Sequence, residues 1–159
     1  MEKKLENYLE KHKINYILHK HKAVFSVEES RELKKEIPGF HCKCLFLRDS
    51  NGVFYLVGMP AEKRLDVKKF RKHFGMQKLH FGSADELKEK LGLTPGSVSI
   101  FGMINDDKKD VVLVIDKNVW DAGITGFHPN HNEATLEIKH DDLERFYKSL
   151  NCRKEIIEL

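Results

Sequence analysis

Three short stretches of the 159-residue chain carry side chains whose types and spacing could do chemistry. The first is Cys42-Lys43-Cys44-Leu45-Phe46-Leu47, a β-type run with a lysine among apolar neighbours. Strand alternation places Lys43 with Leu45 and Leu47. On an interior face such a lysine must reach outward or sit in a pocket, where its ammonium suits a phosphate or an ester carbonyl. On an edge strand it is only a solvated cation, and the sequence leaves both readings open. The second stretch, Gly92-Leu93-Thr94-Pro95-Gly96-Ser97-Val98, sets a Pro-Gly turn ahead of an expected strand. Glycine there lets backbone amides approach and hold a ligand, although a connecting loop after a helix end has the same appearance. The third, Phe127 to Thr135, packs His128, Pro129, Asn130, His131 and Asn132 into one loop before a strand. These are neutral donors and acceptors able to hold a water or a sugar hydroxyl, and Pro129 pushes His128 toward an extended backbone. Such density in a loop favours function over a structural histidine.

Other chemistries fit less well. Cys42 and Cys44 share a strand face and could be joined by His128 and His131, but thiolates one residue apart do not match a zinc knuckle. Cysteines in β runs are commonly small buried hydrophobes. The chain has no nucleophile elbow, no His-Glu-x-x-His, no convincing carboxylate pair, no Gly-x-Gly-x-x-Gly and no Walker loop. A hydrolase built from it would lack a protein nucleophile; no metal and no cofactor are expected.

The elements that must position these groups alternate along the chain. A helix is expected over 2–12, with Leu5 and Leu9 on one stripe, then a strand over 14–18. Ser26 to Glu29 has the capping-box pattern and opens a helix that ends before Pro38-Gly39. Asn51-Gly52 between two apolar runs marks a hairpin. Asp66 caps a helix ending at Gly75, Lys78 to Phe81 forms a brief strand, and Ser83 to Glu86 is a second capping box for a helix stopped at Gly92. Strands are expected over 96–101, 111–115 and 134–139, a helical turn over 116–122, and an amphipathic helix over 141–150. The hairpin excludes a purely parallel sheet. The expected class is mixed α/β (α+β): a largely antiparallel, barrel-like sheet with surrounding helices.

With 40% hydrophobic and 33% charged residues, the composition is that of a globular chain, and 1–159 is read as one domain. No apolar run reaches the ~18 residues of a membrane span, the N-terminus is unlike a signal peptide, and three cysteines form no disulfide framework. A cytoplasmic protein without membrane association is expected. The net charge of +3 does not point to nucleic acid. The basic stretch from Glu62 to Lys72, with Lys63, Arg64 and Lys68, could contact phosphates or be an ordinary solvated face.

Taken together, Lys43 to Asp49, Leu91 to Val98, and His128-Pro129 with Asn132, Ala134 and Thr135 resemble the YbaK/ProX family. These are free-standing relatives of the editing domain of bacterial prolyl-tRNA synthetase, and the alanyl-tRNA(Pro) deacylase branch is the most similar. The resemblance implies trans-editing: hydrolysis of the ester that joins a wrong amino acid to tRNA, with prolyl-tRNA synthetase as an expected partner. It implies Lys43 and His128 as catalytic residues, with Lys43 on the ester carbonyl or terminal phosphate and His128 on water or the ribose hydroxyl. Gly96, Ser97, Asn132 and Phe46 are implied as substrate-binding, and the Gly96 and Ser97 amides as oxyanion donors. Cys44, Ile100 and Glu133 depart from the family pattern of Asn, Pro and Thr.

Overall fold

The computed structural model describes residues 1–23 and 27–159. Its strands are β1 (Ile17–Lys20), β2 (Phe40–Asp49), β3 (Phe54–Pro60), β4 (Leu79–Phe81), β5 (Val111–Asp116), β6 (Ile124–Phe127), β7 (Ala134–Lys139) and β8 (Lys154–Ile157). They form one sheet in the order β1-β7-β6-β2-β3-β5-β8, with β4 paired to the far end of β2. Pairings β1–β7, β6–β7, β2–β3 and β2–β4 are antiparallel, whereas β2–β6, β3–β5 and β5–β8 are parallel. The sheet is therefore mixed, as expected, but its path stays open between β1 and β8 rather than closing into a barrel.

Strand β2 is the spine. Its first residues pair with β6 (Phe40↔Thr125, His41↔Gly126), and from Cys42 onward it pairs with β3. The hairpin is held where Asn51-Gly52 predicts it: the Asp49 carboxylate accepts from the amides of Asn51 and Val53, each at 2.9 Å. Period-2 alternation then divides β2. Cys42, Cys44 and Phe46 face the main core with Phe54, Leu56 and Leu113, while Leu45 and Leu47 face a second core with Tyr55, Val57 and Phe70. Every residue of β5 is buried, as suits a strand covered on both faces.

The helices are α1 (Lys3–Lys11), α2 (Val27–Glu36), α3 (Val67–Phe74), α4 (Ala84–Leu91), α5 (Lys117–Trp120) and α6 (His140–Ser149). Leu5, Leu9, Leu87, Leu143 and Phe146 carry α1, α4 and α6 onto the main core, and α3 covers the second through Phe70. The expected caps are present: Asp66 accepts from the Lys69 amide at 3.1 Å, and Ser83 and Glu86 make the reciprocal capping box. The capping pattern at Ser26 lies outside the described residues.

Three expectations needed correction. Residues 96–101 form no strand; a 3-10 helix spans Ile100–Asn105, opened by the Ser99 hydroxyl accepting from the Phe101 amide at 3.2 Å. Ile100 and Phe101 are both fully buried, which strand alternation would not allow on a single covered face. Strands β6 and β8 were not expected at all, being four residues each and, in β6, interrupted by Gly126. The strand expected over 14–18 runs from Ile17 to Lys20.

Candidate active site

The sheet has two sides at β1, β7 and β6. Leu18, Leu136, Ile138 and Phe127 face the main core. The opposite side of β7 presents Thr135 and Glu137, which are polar yet only 5% and 7% exposed. Covered polar groups need partners, and histidines supply them. His19 Nε2 meets Glu137 Oε1 at 2.8 Å, and His21 Nε2 meets the Thr135 hydroxyl at 2.9 Å. The carbonyl of Lys22 accepts from His21 Nδ1 at 2.8 Å, so Nε2 accepts the Thr135 proton. His41, on the same side of β2, donates from Nε2 to the Ile37 carbonyl at 3.1 Å.

Lys43 and His128 belong to this polar side. His41 is registered with Gly126, and Gly126 with Glu137. Alternation carried past the registered pairs sets Lys43 on the same side of β2 as His41, and His128 on the side of Thr135 and Glu137. Lys43 is half-buried and has no ion-pair partner among the described residues. Desolvation lowers its pKa from the usual lysine range. His128 donates from Nδ1 to the Ala134 carbonyl at 3.1 Å, which leaves the Nε2 lone pair free. Burial lowers the His128 pKa, the Ala134 carbonyl opposes this, and the neighbouring His21 and His131 lower it further. This side of the sheet thus carries a lysine with no ion-pair partner among the described residues and an imidazole whose proton is held on the nitrogen that meets the Ala134 carbonyl.

The remaining expected residues divide. Phe46 is corrected: alternation turns it to the main core, where it is 4% exposed and stacked on Phe54 at 5.3 Å, on the other side of the sheet from Lys43. Cys42 and Cys44 face that core too, so they share no ligand set with His128; burial pushes the Cys44 thiol up to about 12, with only the Ile100 amide opposing. That Cys44–Ile100 contact ties the far end of the 92–100 loop to β2. Within the loop, the Ser97 amide already donates to the Thr94 carbonyl at 3.1 Å, so of the expected oxyanion donors only the Gly96 amide is left without a partner among the described residues. Gly96 has φ +89° with open space where a Cβ would lie, so backbone conformation requires glycine here. Asn132 is half-buried in the loop after His128. Of the basic residues, Lys63 is corrected: its Nζ lies 2.9 Å from Oδ2 of the fully buried Asp116, whereas Arg64 and Lys68 are exposed. The sequence reading missed His19, His21, His41 and Glu137. Their signal was the alternation of His19-Lys20-His21 and of Thr135-Leu136-Glu137, which puts polar groups on one face of two strands.

Positioning, one cation and a neutral base, with no protein nucleophile, suit water attack on an ester that is already activated. Residues 21–146 match the aminoacyl-tRNA editing domain family, and the chain belongs to that family. It is 38% identical over 152 residues to the prolyl-tRNA editing protein ProX of Acetoanaerobium sticklandii, covering 95% of this chain and 93% of that protein. It is 30% identical over 148 residues to the prolyl-tRNA synthetase associated domain-containing protein 1 of Danio rerio, covering 92% and 80%. Among solved structures, the hypothetical protein APE2540 superposes with a TM-score of 0.78 at 20% identity, covering 98% of each chain. A candidate trans-editing enzyme for prolyl-tRNA synthetase superposes with a TM-score of 0.76 at 15% identity, covering 100% and 98%. The chain is accordingly an aminoacyl-tRNA deacylase, a hydrolase of the editing class.

Proposed function

We propose that the whole chain, 1–159, acts as one free-standing editing domain that hydrolyses the ester of mischarged tRNA, with alanyl-tRNA(Pro) as its substrate. The observation that supports this reading is that strand alternation turns Lys43 and His128 to the same covered polar side of the sheet. The similarity to a prolyl-tRNA editing protein over 95% of the chain supports the tRNA. A synthetase pocket discriminates by only ~1–3 kcal/mol per methylene, so small amino acids leak through and need a second, hydrolytic sieve. In the proposed mechanism His128 Nε2 takes a proton from water as its oxygen attacks the ester carbonyl. The Lys43 ammonium and the Gly96 amide face the oxyanion that forms. Collapse breaks the bond to the ribose oxygen, which recovers the proton from His128, and the amino acid leaves as its carboxylate. Asn132 sits with His128 at the water and ribose end.

The partners in this reading are tRNA and prolyl-tRNA synthetase, and the setting is the cytoplasm; no helix among the described residues is long and apolar enough to cross a membrane. The test is a panel of tRNA(Pro) charged with alanine, cysteine, serine, threonine or proline, incubated with the pure protein. Fastest loss of the alanyl ester is expected, with the prolyl ester spared. Preference for another member of the panel would overturn the alanine assignment. Tight tRNA binding with ester half-lives equal to buffer would make the chain a binding module instead.

A further inference from the structure

Two residues after His128, the side chain of Asn130 is in an unusual position. The residue is only 6% exposed, its φ is +65°, and neither Oδ1 nor Nδ2 has a hydrogen-bond partner among the described residues. Asparagine tolerates the left-handed region, which accounts for the backbone. It does not account for the amide, because burying an unpaired carboxamide is costly and glycine would meet the backbone requirement without it.

The polar side of the sheet shows what such a group would complete. It carries Lys43 and the imidazoles of His19, His21, His41 and His128, most of whose ring nitrogens already have partners. The carboxylate of β7 on that side, Glu137, already meets His19 at 2.8 Å. A substrate that enters with a cation of its own needs an acceptor not already taken, and Asn130 Oδ1 is one. Every aminoacyl ester has such a cation, the α-ammonium. We infer that Asn130 is a substrate-binding residue whose Oδ1 accepts from the α-ammonium of the aminoacyl group. The amide atoms are shielded in the free protein, so the 128–132 loop shifts as the substrate enters. The unmet amide makes that shift inexpensive. This inference rests on the deacylase reading and adds the group by which the site tells an aminoacyl ester from a plain acyl ester.

The test pairs a change in the protein with a change in the substrate. Alanyl-tRNA(Pro) and propionyl-tRNA(Pro), which lacks only the amine, are hydrolysed by wild type, by Asn130→Gly, which keeps the backbone conformation, and by Asn130→Asp, which keeps the acceptor. With Asn130→Gly the alanyl ester should lose roughly ten- to a hundredfold in kcat/KM, as for one hydrogen bond to a charged group, and the propionyl ester should be unaffected. Asn130→Asp should restore the preference for the amine. The melting temperature of Asn130→Gly should equal or exceed that of wild type, because an unmet buried amide is removed. Equal losses on both esters, or no loss on the alanyl ester, would overturn the inference while the deacylase reading stands. A wild-type protein inactive on both esters would instead bring down the deacylase reading, and the inference with it.

Discussion

Lys43 and His128 lie on one side of the sheet, and burial acts on both in the same direction. Burial disfavours the charged form of each, lowering both pKa values. For Lys43 the folded-state value lies below that of the unfolded chain, so its ammonium gives the fold nothing that truncation would remove. Lys43→Ala should therefore leave the thermal midpoint unchanged while deacylation falls by about 10²–10³-fold, the usual cost of losing one oxyanion-stabilising group; both are read on a single preparation by melting and single-turnover kinetics. For His128 the sign runs the same way: the unfolded state binds the proton more tightly, so protonation costs stability as pH falls below the ordinary histidine value of ~6.5. The acid limb of kcat/KM should lie below that value, and His128→Gln should abolish the limb together with most of the activity. Both groups were legible in the sequence, one as a lysine inside an apolar run and the other as a His-Pro pair. The buried amide of Asn130 was not, because burial of a polar loop side chain has no signature in one dimension.

At the scale of elements, the site depends on the entry into β2. Gly39 has φ +104°, and a Cβ there would lie 2.6 Å from Ile124 Cγ2 and 3.0 Å from the Ile124 carbonyl oxygen. It immediately precedes the pairing of β2 with β6, Phe40↔Thr125 and His41↔Gly126, which fixes the face of β2 to which Lys43 turns. Gly39→Ala should cost about 1–3 kcal/mol, as strained backbone positions do, and reduce deacylation as well, since the β2–β6 register is displaced. Ser83→Ala provides the contrast: it removes the α4 cap at a cost of ~1 kcal/mol and leaves kcat/KM alone. Denaturant unfolding and the deacylation assay together separate the two. Hairpin, capping boxes and the helix before Pro38 could be read in advance because turn and cap chemistry is local. Strand β6 could not: four residues containing Gly126 have no periodicity, and pairing with β2 and β7 alone makes them a strand. The misread 96–101 segment shows the converse, an apolar run that a local Ser99 cap turns into a 3-10 helix.

For the whole molecule, the question is how a nearly neutral chain meets a polyanion. The basic stretch beginning at Lys63 looked uniform in sequence, but the fold gives its members different work. Lys63 holds the buried Asp116, which also caps α5 through the Asn118 amide at 3.0 Å. Arg64, Lys68, Lys69 and Lys72 stay in solvent on or beside α3. Lys63→Ala should lower stability by about 1–3 kcal/mol, the cost of an unmatched buried polar group. Arg64→Ala and Lys68→Ala should leave melting unchanged but weaken tRNA binding and reduce the slope of log affinity against log salt by up to ~1 each. An unchanged slope would show that α3 faces away from the nucleic acid.

The seam between β2 and β6 consists of two registered pairs, where β2 and β3 share seven. Short ladders open at the low end of a protein's range of local unfolding energies. The strands that carry Lys43 and His128 therefore meet along a crease in the sheet rather than a rigid wall.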